Sequence, residues 1–580
     1  MVFCSVDWYK KVIFKHDASR IIQCCLKYGS PKQRDAIAAE LKGHYTELSK
    51  SQYGRFIVSK ILNYCSPQYR NDVITEFYGK VRKLIRHKEA SQVLEEAYSQ
   101  FANASQRSAL MEEFYGPEFA LFKSKDTKNI QDVLASNPAK KESIVRHLKE
   151  VVYSILEKGT CNIGQISIIH RAILEYMTYS EDKAIQDLIE VLKDHLVHIL
   201  HTREGCRVAQ LCLLNSTPKN RKHIIKSLKG FMTKVAREQY GHAVLITIFE
   251  TVDDTVLVQK AVLGEMVKDE PASPEESFAH LLRNKYASRV FLFLLSGRNR
   301  KYQPAYLVNE LEEMDAVRSK TSKKDDVLRK QELKDAVTVP LMNAFEKNSN
   351  TLLRDKAAGQ VLIELIKNVT GGVPFSRPKT HLLADKSSLF EALTAVTVDA
   401  PDESAPTESA APEKAFNAVR NLKNEADKAL LEETLIMDDH ILANRNATMT
   451  LKTILSGNRT GKDTTEAGNA EFAAALFKTI QPHLSKWINY CASEPMRTSG
   501  TSFVLLNIFE SGDEWLKSEI RKSMAEILKQ KSQLEELIKT KKESQLTSKP
   551  LGKKRKQGQE DALEVKDRKT GIEHFIQAMI

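Results

Sequence analysis

Three short groups of polar side chains share one spacing that suits recognition of a nucleobase. Each group has a small hydroxyl or thiol, then a cation or amide, then an amide or acid three residues further on. On an α-helix these positions fall at about 0°, 100° and 40° around the axis, so the side chains leave one face. A Gln amide matches a Watson–Crick edge, and Arg can lie flat between bases. The groups are Ser19, Arg20 and Gln23; Ser91, Gln92 and Glu95; and Cys206, Arg207 and Gln210.

These groups belong to a pentad that recurs along the chain: a small residue, a polar or cationic residue, two apolar residues and a variable one. Eight copies follow one another at steps of 35, 37, 36, 40, 39, 35 and 47 residues. A repeat of this length is typical of stacked helical units. The eight copies begin at Ser19, Gly54, Ser91, Thr127 (degenerate), Ser167, Cys206, Gly241 and Ser288, and three weaker ones begin at Gly359, Thr448 and Thr501.

The elements that position the pentads are helices. In the first copy Ile21, Ile22, Cys25 and Leu26 recur at helical spacing, and residues 28–31 (Tyr-Gly-Ser-Pro) form a stop and a turn before a second helix at 33–41. A unit of this size cannot bury its apolar face alone, so neighbouring units must stack. The sequence therefore predicts an all-α fold, an α-solenoid of about eleven repeats with the pentads on its inner wall.

Charge and composition favour a polyanionic partner. Lys and Arg number 87 against 75 Asp and Glu, a net charge of +12. Residues 1–100 and 201–300 carry +7 and +6, and such cationic regions attract nucleic acid. No segment approaches the roughly 18 apolar residues of a membrane span. Eight cysteines fit a reduced compartment better than a disulfide framework.

The sequence offers no convincing catalytic or metal site. His195, His198 and His201 are three residues apart, which spreads them over about 120° of a helix and is too wide for one metal ion. Residues 370–372 (Thr-Gly-Gly) lack the Lys of a phosphate-binding loop. We therefore expect a binding protein that is not an enzyme, with no cofactor, no metal, no small-molecule substrate and no membrane partner.

Composition divides the chain into four parts. We predict two blocks of repeats at 1–150 and 151–320, divergent repeats at 321–520, and a charged helix with a basic tail at 521–580. The acidic, Pro-rich segment 399–414 is predicted to be a disordered loop. In the tail, one basic cluster is a candidate nuclear-import signal or RNA contact: Lys553, Lys554, Arg555 and Lys556.

Several pentads lack part of the base-reading set. Val58, Leu245 and Leu292 stand where an amide or acid should reach a base, and an aliphatic group there leaves base polar atoms unpaired. In the fifth copy Ile168 and Arg171 replace the stacking and reading residues. A continuous base code therefore looks interrupted. The polar side chains that remain could contact phosphates or stack without regard to sequence; they are Arg55, Arg207, His242 and Arg289.

Over residues 10–300 the pentads resemble the Pumilio (PUF) family, in which each repeat reads one RNA base. The resemblance implies adenine recognition by the groups at Ser19 and Cys206 and guanine recognition by the group at Ser91. The interrupted code and the long C-terminal half resemble one branch, the nucleolar PUF-A type. In that branch about eleven repeats are bent into an L and joined to a CPL region, expected here around residues 340–500.

The branch implies a function that composition and spacing do not reveal. Its members bind structured RNA or duplex nucleic acid with little sequence preference. They act in the maturation of large-subunit pre-ribosomal RNA, in the nucleus and nucleolus, alongside preribosomal large-subunit proteins, and some repress a bound messenger RNA. We expect the same of this chain.

Two alternatives remain open. A sequence-specific messenger RNA regulator needs several adjacent intact groups, and none are adjacent. A protein-binding scaffold of the armadillo or HEAT kind predicts no selective use of Ser-Arg-x-x-Gln. The RNA-binding interpretation requires that Arg20, Arg55, Arg207 and Arg289 are neither sealed inside the fold nor on opposing sides.

Overall fold

The computed structural model describes most of the chain as helices, and no β-strand occurs in the residues it describes. Those residues are 13–121, 129–136, 138–158, 163–268, 277–370, 379–397, 440–457, 469–493, 499–529, 535–536, 538–540 and 571–579. The all-α prediction is confirmed. The predicted bend into an L stays a prediction.

The helices are numbered in chain order. As far as residue 268 they are α1 His16–Tyr28, α2 Pro31–Leu41, α3 Tyr45–Lys50, α4 Gly54–Tyr64, α5 Pro67–Phe77, α6 Val81–Leu84, α7 Lys88–Glu96, α8 Ala104–Glu112, α9 Pro117–Leu121, α10 Ile130–Ser136, α11 Lys141–Lys158, α12 Ser167–Tyr179, α13 Asp182–Leu192, α14 Leu196–Ile199, α15 Arg203–Asn215, α16 Pro218–Ser227, α17 Met232–Arg237, α18 Gly241–Thr251, α19 Thr255–Val258 and α20 Gly264–Met266. Short π-helical turns lie at Ala97–Phe101 and Gln259–Leu263, and 3₁₀ turns at Pro138–Lys140 and Ile163–Gln165.

The later helices are α21 Phe278–Arg283, α22 Ala287–Ser296, α23 Ala305–Thr321, α24 Asp326–Lys347, α25 Ser349–Leu353, α26 Lys356–Thr370, α27 Lys379–Ala395, α28 Arg445–Ser456, α29 Ala470–Ile480, α30 Leu484–Ser493, α31 Ser499–Ser511, α32 Glu514–Leu528 and α33 Gly571–Met579. Further 3₁₀ turns lie at Ile441–Ala443 and Gln481–His483. None of the described helices is both long and apolar enough to cross a membrane.

The chain forms two compact units. The first comprises residues 1–262 and 309–324, and the second comprises 263–308 and 325–580. The four-part division at 150, 320 and 520 stays a prediction. The acidic segment 399–414 and the basic cluster Lys553–Lys556 lie outside the described residues.

In the first unit the pentad helices form one row, here called the first row. Helix α1 packs on α4, α4 on α7, the π-helical turn after α7 on α12, α12 on α15 and α15 on α18. A typical repeat places a short helix before the row helix and another after it, as α3 and α5 flank α4. The turn predicted at 28–31 is present, because α1 ends at Tyr28 and α2 begins at Pro31. The stacking of units predicted from the repeat length is therefore present.

The fourth pentad, predicted at 127–131, does not supply a row helix. Residues 127 and 128 lie outside the described residues, and α10 begins at Ile130. The row runs past this segment, since Glu95 at the end of α7 bonds directly to Ser167 at the start of α12. The step of 40 residues assigned to this copy therefore reflects an insertion between row helices.

The second unit has a row of its own, here called the second row. Helix α22 packs on α26, α26 on α28, α28 on α31 and α31 on α33. The weak copies at Gly359, Thr448 and Thr501 lie on α26, α28 and α31, so these three were correctly placed on row helices. The last helix, α33, was not predicted.

A carboxylate contact recurs within successive repeats of the first unit. Glu76 accepts hydrogen bonds from three backbone N–H groups within residues 43–46, at 2.9–3.2 Å. In the next repeat Glu113 accepts from the N–H groups of Gly79 and Val81, at 2.7 and 3.0 Å. Gly79 has a φ of +76°, a conformation that favours glycine. Each carboxylate thus caps the short helix that precedes the row helix of its own repeat and ties the two flanking helices of that repeat together.

Candidate nucleic-acid interface

The first pentad position faces the backbone of a neighbouring turn. The hydroxyl of Ser19 donates to the Tyr53 carbonyl at 3.0 Å, that of Ser91 to the Lys88 carbonyl at 3.1 Å, and the Cys206 thiol to the Leu200 carbonyl at 2.9 Å. All three small side chains are buried. Burial also raises the pKa of the Cys206 thiol. These atoms bond to the protein and are shielded from solvent, and their predicted role at a base edge stays a prediction.

Glycines at the same position explain why it is always small. A Cβ added to Gly54 would lie 2.8 Å from the Leu48 carbonyl oxygen, and one added to Gly241 would lie 2.5 Å from that of Val235. On α26 a Cβ at Gly359 would lie 2.3 Å from Thr450 Oγ1 of the next row helix. These approaches are shorter than van der Waals contact. Close packing is therefore sufficient to account for the small residue in the pentad.

The fifth pentad position differs from repeat to repeat. Gln210 is buried, and its Nε2 donates to Thr247 Oγ1 at 3.2 Å across to α18. Glu95 accepts from the backbone N–H and the hydroxyl of Ser167 at 2.8 and 2.6 Å, and burial raises its pKa. Each residue links two row helices, and the predicted base-reading roles of both stay predictions. Gln23 is half-buried and bonds to Ser19 at 3.0 Å, so its role stays a prediction.

The second pentad position carries the accessible cations. Arg20 is exposed, and no carboxylate pairs with it in the described parts of the chain. Arg55 Nε lies 3.0 Å from a Glu89 carboxylate oxygen, and a terminal nitrogen of its guanidinium donates to Gln92 of the next row helix. Its guanidinium carbon also lies 4.4 Å from the centre of the half-exposed Phe56 ring. The second-position side chains of two successive repeats, Arg55 and Gln92, are therefore in contact.

Arg207 is held by an acidic helix. Its guanidinium nitrogens lie 3.3 Å from a Glu313 oxygen and 3.9 Å from a Glu310 oxygen, both on α23. The end of α23 is fixed as well, because the buried Arg221 donates to the Thr321 carbonyl and hydroxyl at 3.1 and 2.9 Å. These contacts leave Arg207 less available to a phosphate than Arg20.

The seventh pentad is wholly enclosed. Every residue of α18 is buried, and His242 has no exposed surface. Its Nδ1 lies 3.3 Å from the Glu238 carbonyl oxygen. The predicted contact of His242 with a phosphate or a base stays a prediction, and in this structure the side chain is shielded from solvent. The polar residue next to Gly241 indicated an exposed side chain, but every residue of α18 is buried, the polar ones included.

Arg171 of the fifth pentad forms a partly buried ion pair with Glu175, one helical turn further on. Arg171 Nε lies 3.0 Å from a Glu175 oxygen, and the Tyr115 hydroxyl donates to the same carboxylate at 2.8 Å. Burial raises the pKa of Glu175, an effect that Arg171 opposes. This ion pair explains why the fifth pentad lacks a base-reading residue.

Arg289 is the cation of the eighth pentad, in the second row. It lies 5.6 Å from the Tyr286 ring and is half-buried.

The surface that remains is the open pentad face, defined as the exposed side of α1, α4 and α7 with Arg20, Gln23, Arg55, Phe56 and Gln92. Lys27 is exposed one turn beyond Gln23. Phe56 was missed in the sequence, where the only signal was an aromatic residue directly after Arg55. The four arginines required by the RNA-binding interpretation are each at least partly exposed. A cation beside an exposed ring can bind a phosphate and support a stacked base. Within the described residues no cluster could hold a metal ion.

Comparisons with known proteins agree with the repeat pattern. The model of the CPL (NUC119) domain matches residues 283–467, and that of the Pumilio-family RNA binding repeat matches 18–42, 44–77 and 203–228. Pumilio homolog 3 from Homo sapiens is 35% identical over 364 residues, which covers 63% of this chain and 54% of the relative. Pumilio homology domain family member 6 from Schizosaccharomyces pombe is 34% identical over 359 residues, covering 62% and 54%. The chain spans about half the length of these relatives.

Two solved structures have the same fold. The crystal structure of human Puf-A and that of human Puf-A in complex with DNA each match with a TM-score of 0.70 at 26% identity. Each match covers 91% of this chain and 92% of the other. The chain thus contains Pumilio-family RNA binding repeats and a CPL (NUC119) domain, and its helical fold is similar to that of human Puf-A.

Proposed function

We propose that this protein binds structured RNA with little sequence preference and acts in ribosome biogenesis, in the processing and assembly of large-subunit pre-ribosomal RNA. In this proposal the RNA is held mainly by its phosphates, on the open pentad face. The protein works in the nucleus and nucleolus beside preribosomal large-subunit proteins. It acts by binding and not by catalysis.

One observation carries the binding mode: the base-reading atoms of Glu95 and Gln210 are engaged by the protein, whereas the cations Arg20 and Lys27 are exposed. Glu95 and Gln210 bond to neighbouring row helices, so two of the three predicted base-reading groups are incomplete. Arg20 and Lys27 are exposed on the same helix. Contacts to phosphates carry no sequence information but fix the RNA in place.

The similarity to human Puf-A supports a nucleic-acid ligand, since one of the matched structures is of that protein in complex with DNA. The ribosomal role and the nucleolar location rest on the resemblance of the sequence to the PUF-A branch. The basic cluster Lys553–Lys556 supports nuclear import through its composition.

A filter-binding titration tests the binding mode. The ligands are a structured ribosomal RNA fragment, a scrambled RNA of equal length and a short strand coded for adenine and guanine. We expect similar affinities for the first two, with a steep dependence on salt. A hundredfold preference for the coded strand would favour a sequence-specific messenger RNA regulator. Absence of binding to all three would favour a protein scaffold.

Depletion in cells tests the biological role. Loss of the protein should cause precursors of the large-subunit ribosomal RNA to accumulate while small-subunit precursors stay unchanged, as measured by RNA blotting. A tagged chain should be found in the nucleolus. Normal processing of both classes of precursor would contradict the proposed role.

A further inference from the structure

The second row carries a line of three side chains that the open pentad face does not include. Lys452 on α28, Phe503 on α31 and His574 on α33 come from three successive row helices. The Lys452 ammonium lies 4.4 Å from the centre of the Phe503 ring. The Phe503 and His574 ring centres are 6.5 Å apart, with 31° between their planes. We call this line the α28–α33 ring site.

The site is accessible from solvent. His574 is exposed, and Phe503 and Lys452 are half-exposed. One helical turn before Lys452, Met449 is 59% exposed, although it is a large apolar residue. No carboxylate pairs with Lys452 among the residues that the structure describes. Its positive charge is therefore available to a ligand, and the apolar surface beside it is uncovered.

Packing of the row does not require this arrangement. The helices are held together by buried residues such as Leu451, Val504 and Phe575, each at most 1% exposed. The hydroxyl of Thr501 adds a buried bond to the Leu442 carbonyl at 2.6 Å. A half-exposed ring contributes less to stability than these residues do, because much of its surface remains in water.

The chemistry of the site suits an unpaired nucleotide. An aromatic ring accepts a base of any identity on its face, and such stacking is the usual device of proteins that hold single strands. A cation within a few ångströms of the ring can neutralise the phosphate of the same nucleotide. An extended apolar peptide would use the rings but not the ammonium, so charge complementarity favours nucleic acid.

We propose that the α28–α33 ring site binds unpaired nucleotides of an RNA whose structured part is held elsewhere on the protein. Phe503 and His574 provide stacking surfaces, and Lys452 contacts the phosphate. This inference rests on the proposed function and adds a ligand class to it. The protein would then prefer a duplex that continues into a single strand over a blunt duplex.

The test uses the full-length protein and two RNA hairpins that are identical except for a single-stranded adenosine tail. We expect the wild-type chain to bind the tailed hairpin about tenfold more tightly, the effect of stacking about one base. Phe503→Leu, which keeps apolar volume but removes the aromatic face, should abolish most of this preference. His574→Ala should reduce it, and Lys452→Gln should reduce the salt dependence of tail binding. A 2-aminopurine in the tail should lose fluorescence with the wild type but not with Phe503→Leu.

Trp515→Ala is the matched control, because Trp515 is 67% exposed in the same unit but lies on α32, outside the row. It should leave the preference unchanged. Equal binding of both hairpins by the wild type, or an unchanged preference in Phe503→Leu, would overturn this inference and leave the proposed function standing. Failure of the wild type to bind either hairpin would instead overturn the proposed function. A peptide that binds the site while RNA does not would assign it to a protein partner.

Discussion

The same pentad has opposite surroundings at the two ends of the first row. At α1 the pentad is open, because Arg20 is exposed and Ile21 exposes 64% of its surface. At α4 Arg55 pairs with Glu89, but Phe56 beside it exposes 43% of its surface. At α15 and α18 the pentad is closed: Arg207 pairs with α23, and His242 is sealed. A shared sequence pattern therefore specifies a shared helix position without specifying a shared function.

At Arg207 the difference comes from α23. Residues 309–324 pack with the first unit, although they follow α18 by more than one repeat. Asp253 accepts bonds from the Ser322 hydroxyl and the Lys323 N–H at 2.6 and 2.8 Å, which holds the chain directly after α23. With Arg207 at one end and Arg221 at the other, α23 brings two carboxylates to a position where the open end offers solvent. Acidic side chains there oppose the approach of a phosphate.

The largest expected effect concerns the closed end. Arg221 is buried and donates to the carbonyls of Leu213, Leu214 and Thr251 as well as to Thr321. Arg221→Met would leave these buried acceptors unpaired and should lower the free energy of unfolding by about 3–5 kcal/mol. Urea unfolding measures the loss, and hydrogen exchange should locate it in α15 and α18.

The control is Arg20→Met at the open end, where an exposed side chain is replaced and the change should be under about 0.5 kcal/mol. If Arg221→Met cost less than about 1 kcal/mol, the bonds from Arg221 would not be what fixes the end of α23.

The second prediction concerns the loss of folding stability at acidic pH. His170 on α12 is buried; its Nε2 donates to the Ile163 carbonyl at 2.8 Å, and its Nδ1 lies 2.7 Å from the hydroxyl of Thr202, which caps α15. Burial lowers the pKa of His170 from 6.5 to about 4. As the pH falls, His170 therefore binds a proton in the unfolded chain before it does so in the folded chain. The free energy of unfolding should decrease as the pH falls from 6.5 towards 4.

The expected loss is on the order of 2 kcal/mol. It is measured as the difference between the pH profiles of the wild type and His170→Gln, which cannot gain this proton. Hydrogen exchange should show the loss near α12 and α15 and not at α1. Identical profiles for the two proteins would mean that protonation of His170 does not lower the free energy of unfolding.

Much of the row could be predicted from sequence, because its determinants are local. The stop at residues 28–31 and the helix that follows are encoded by Gly, Ser and Pro at a turn, and they lie where expected. The function of each pentad was harder to predict. Glu95 and Ser167 are 72 residues apart, and Arg207 and Glu313 are 106 apart. No local sequence pattern therefore indicates that the Glu95 carboxylate and the Arg207 guanidinium already bond to other parts of the protein.

The last row helix was missed for another reason. Helix α33 packs on α31 through buried Ile572, Phe575 and Ile576, which recur at helical spacing. It has no polar pentad, and a search for the full pentad could not find it. The apolar spacing alone was the available signal.

A third prediction compares the two arginines at the second pentad position. Arg20→Gln should weaken binding of structured RNA about threefold to tenfold and lower the salt slope by about one, as expected for one lost phosphate contact. Arg207→Gln should change the affinity less than about twofold, because Glu310 and Glu313 already neutralise that guanidinium. Filter binding at several salt concentrations measures both. Equal effects would show that α23 does not exclude RNA from the closed end.

The smallest expected effect is at Gln23, which tests whether the open end still reads a base. Its Nε2 donates to Ser19 Oγ at 3.0 Å, and Ser19 in turn donates to the Tyr53 carbonyl, so the amide is partly committed to the protein. Gln23→Ala should therefore change the affinity for an adenine-containing strand less than about twofold, whereas a direct contact to a base edge would be worth about 1–3 kcal/mol. Glu40→Gln, at an exposed site outside the row, is the control. A loss of more than about tenfold with the adenine strand and not with a uridine strand would restore base reading to the first repeat, and the two ends would then differ in specificity as well as in exposure.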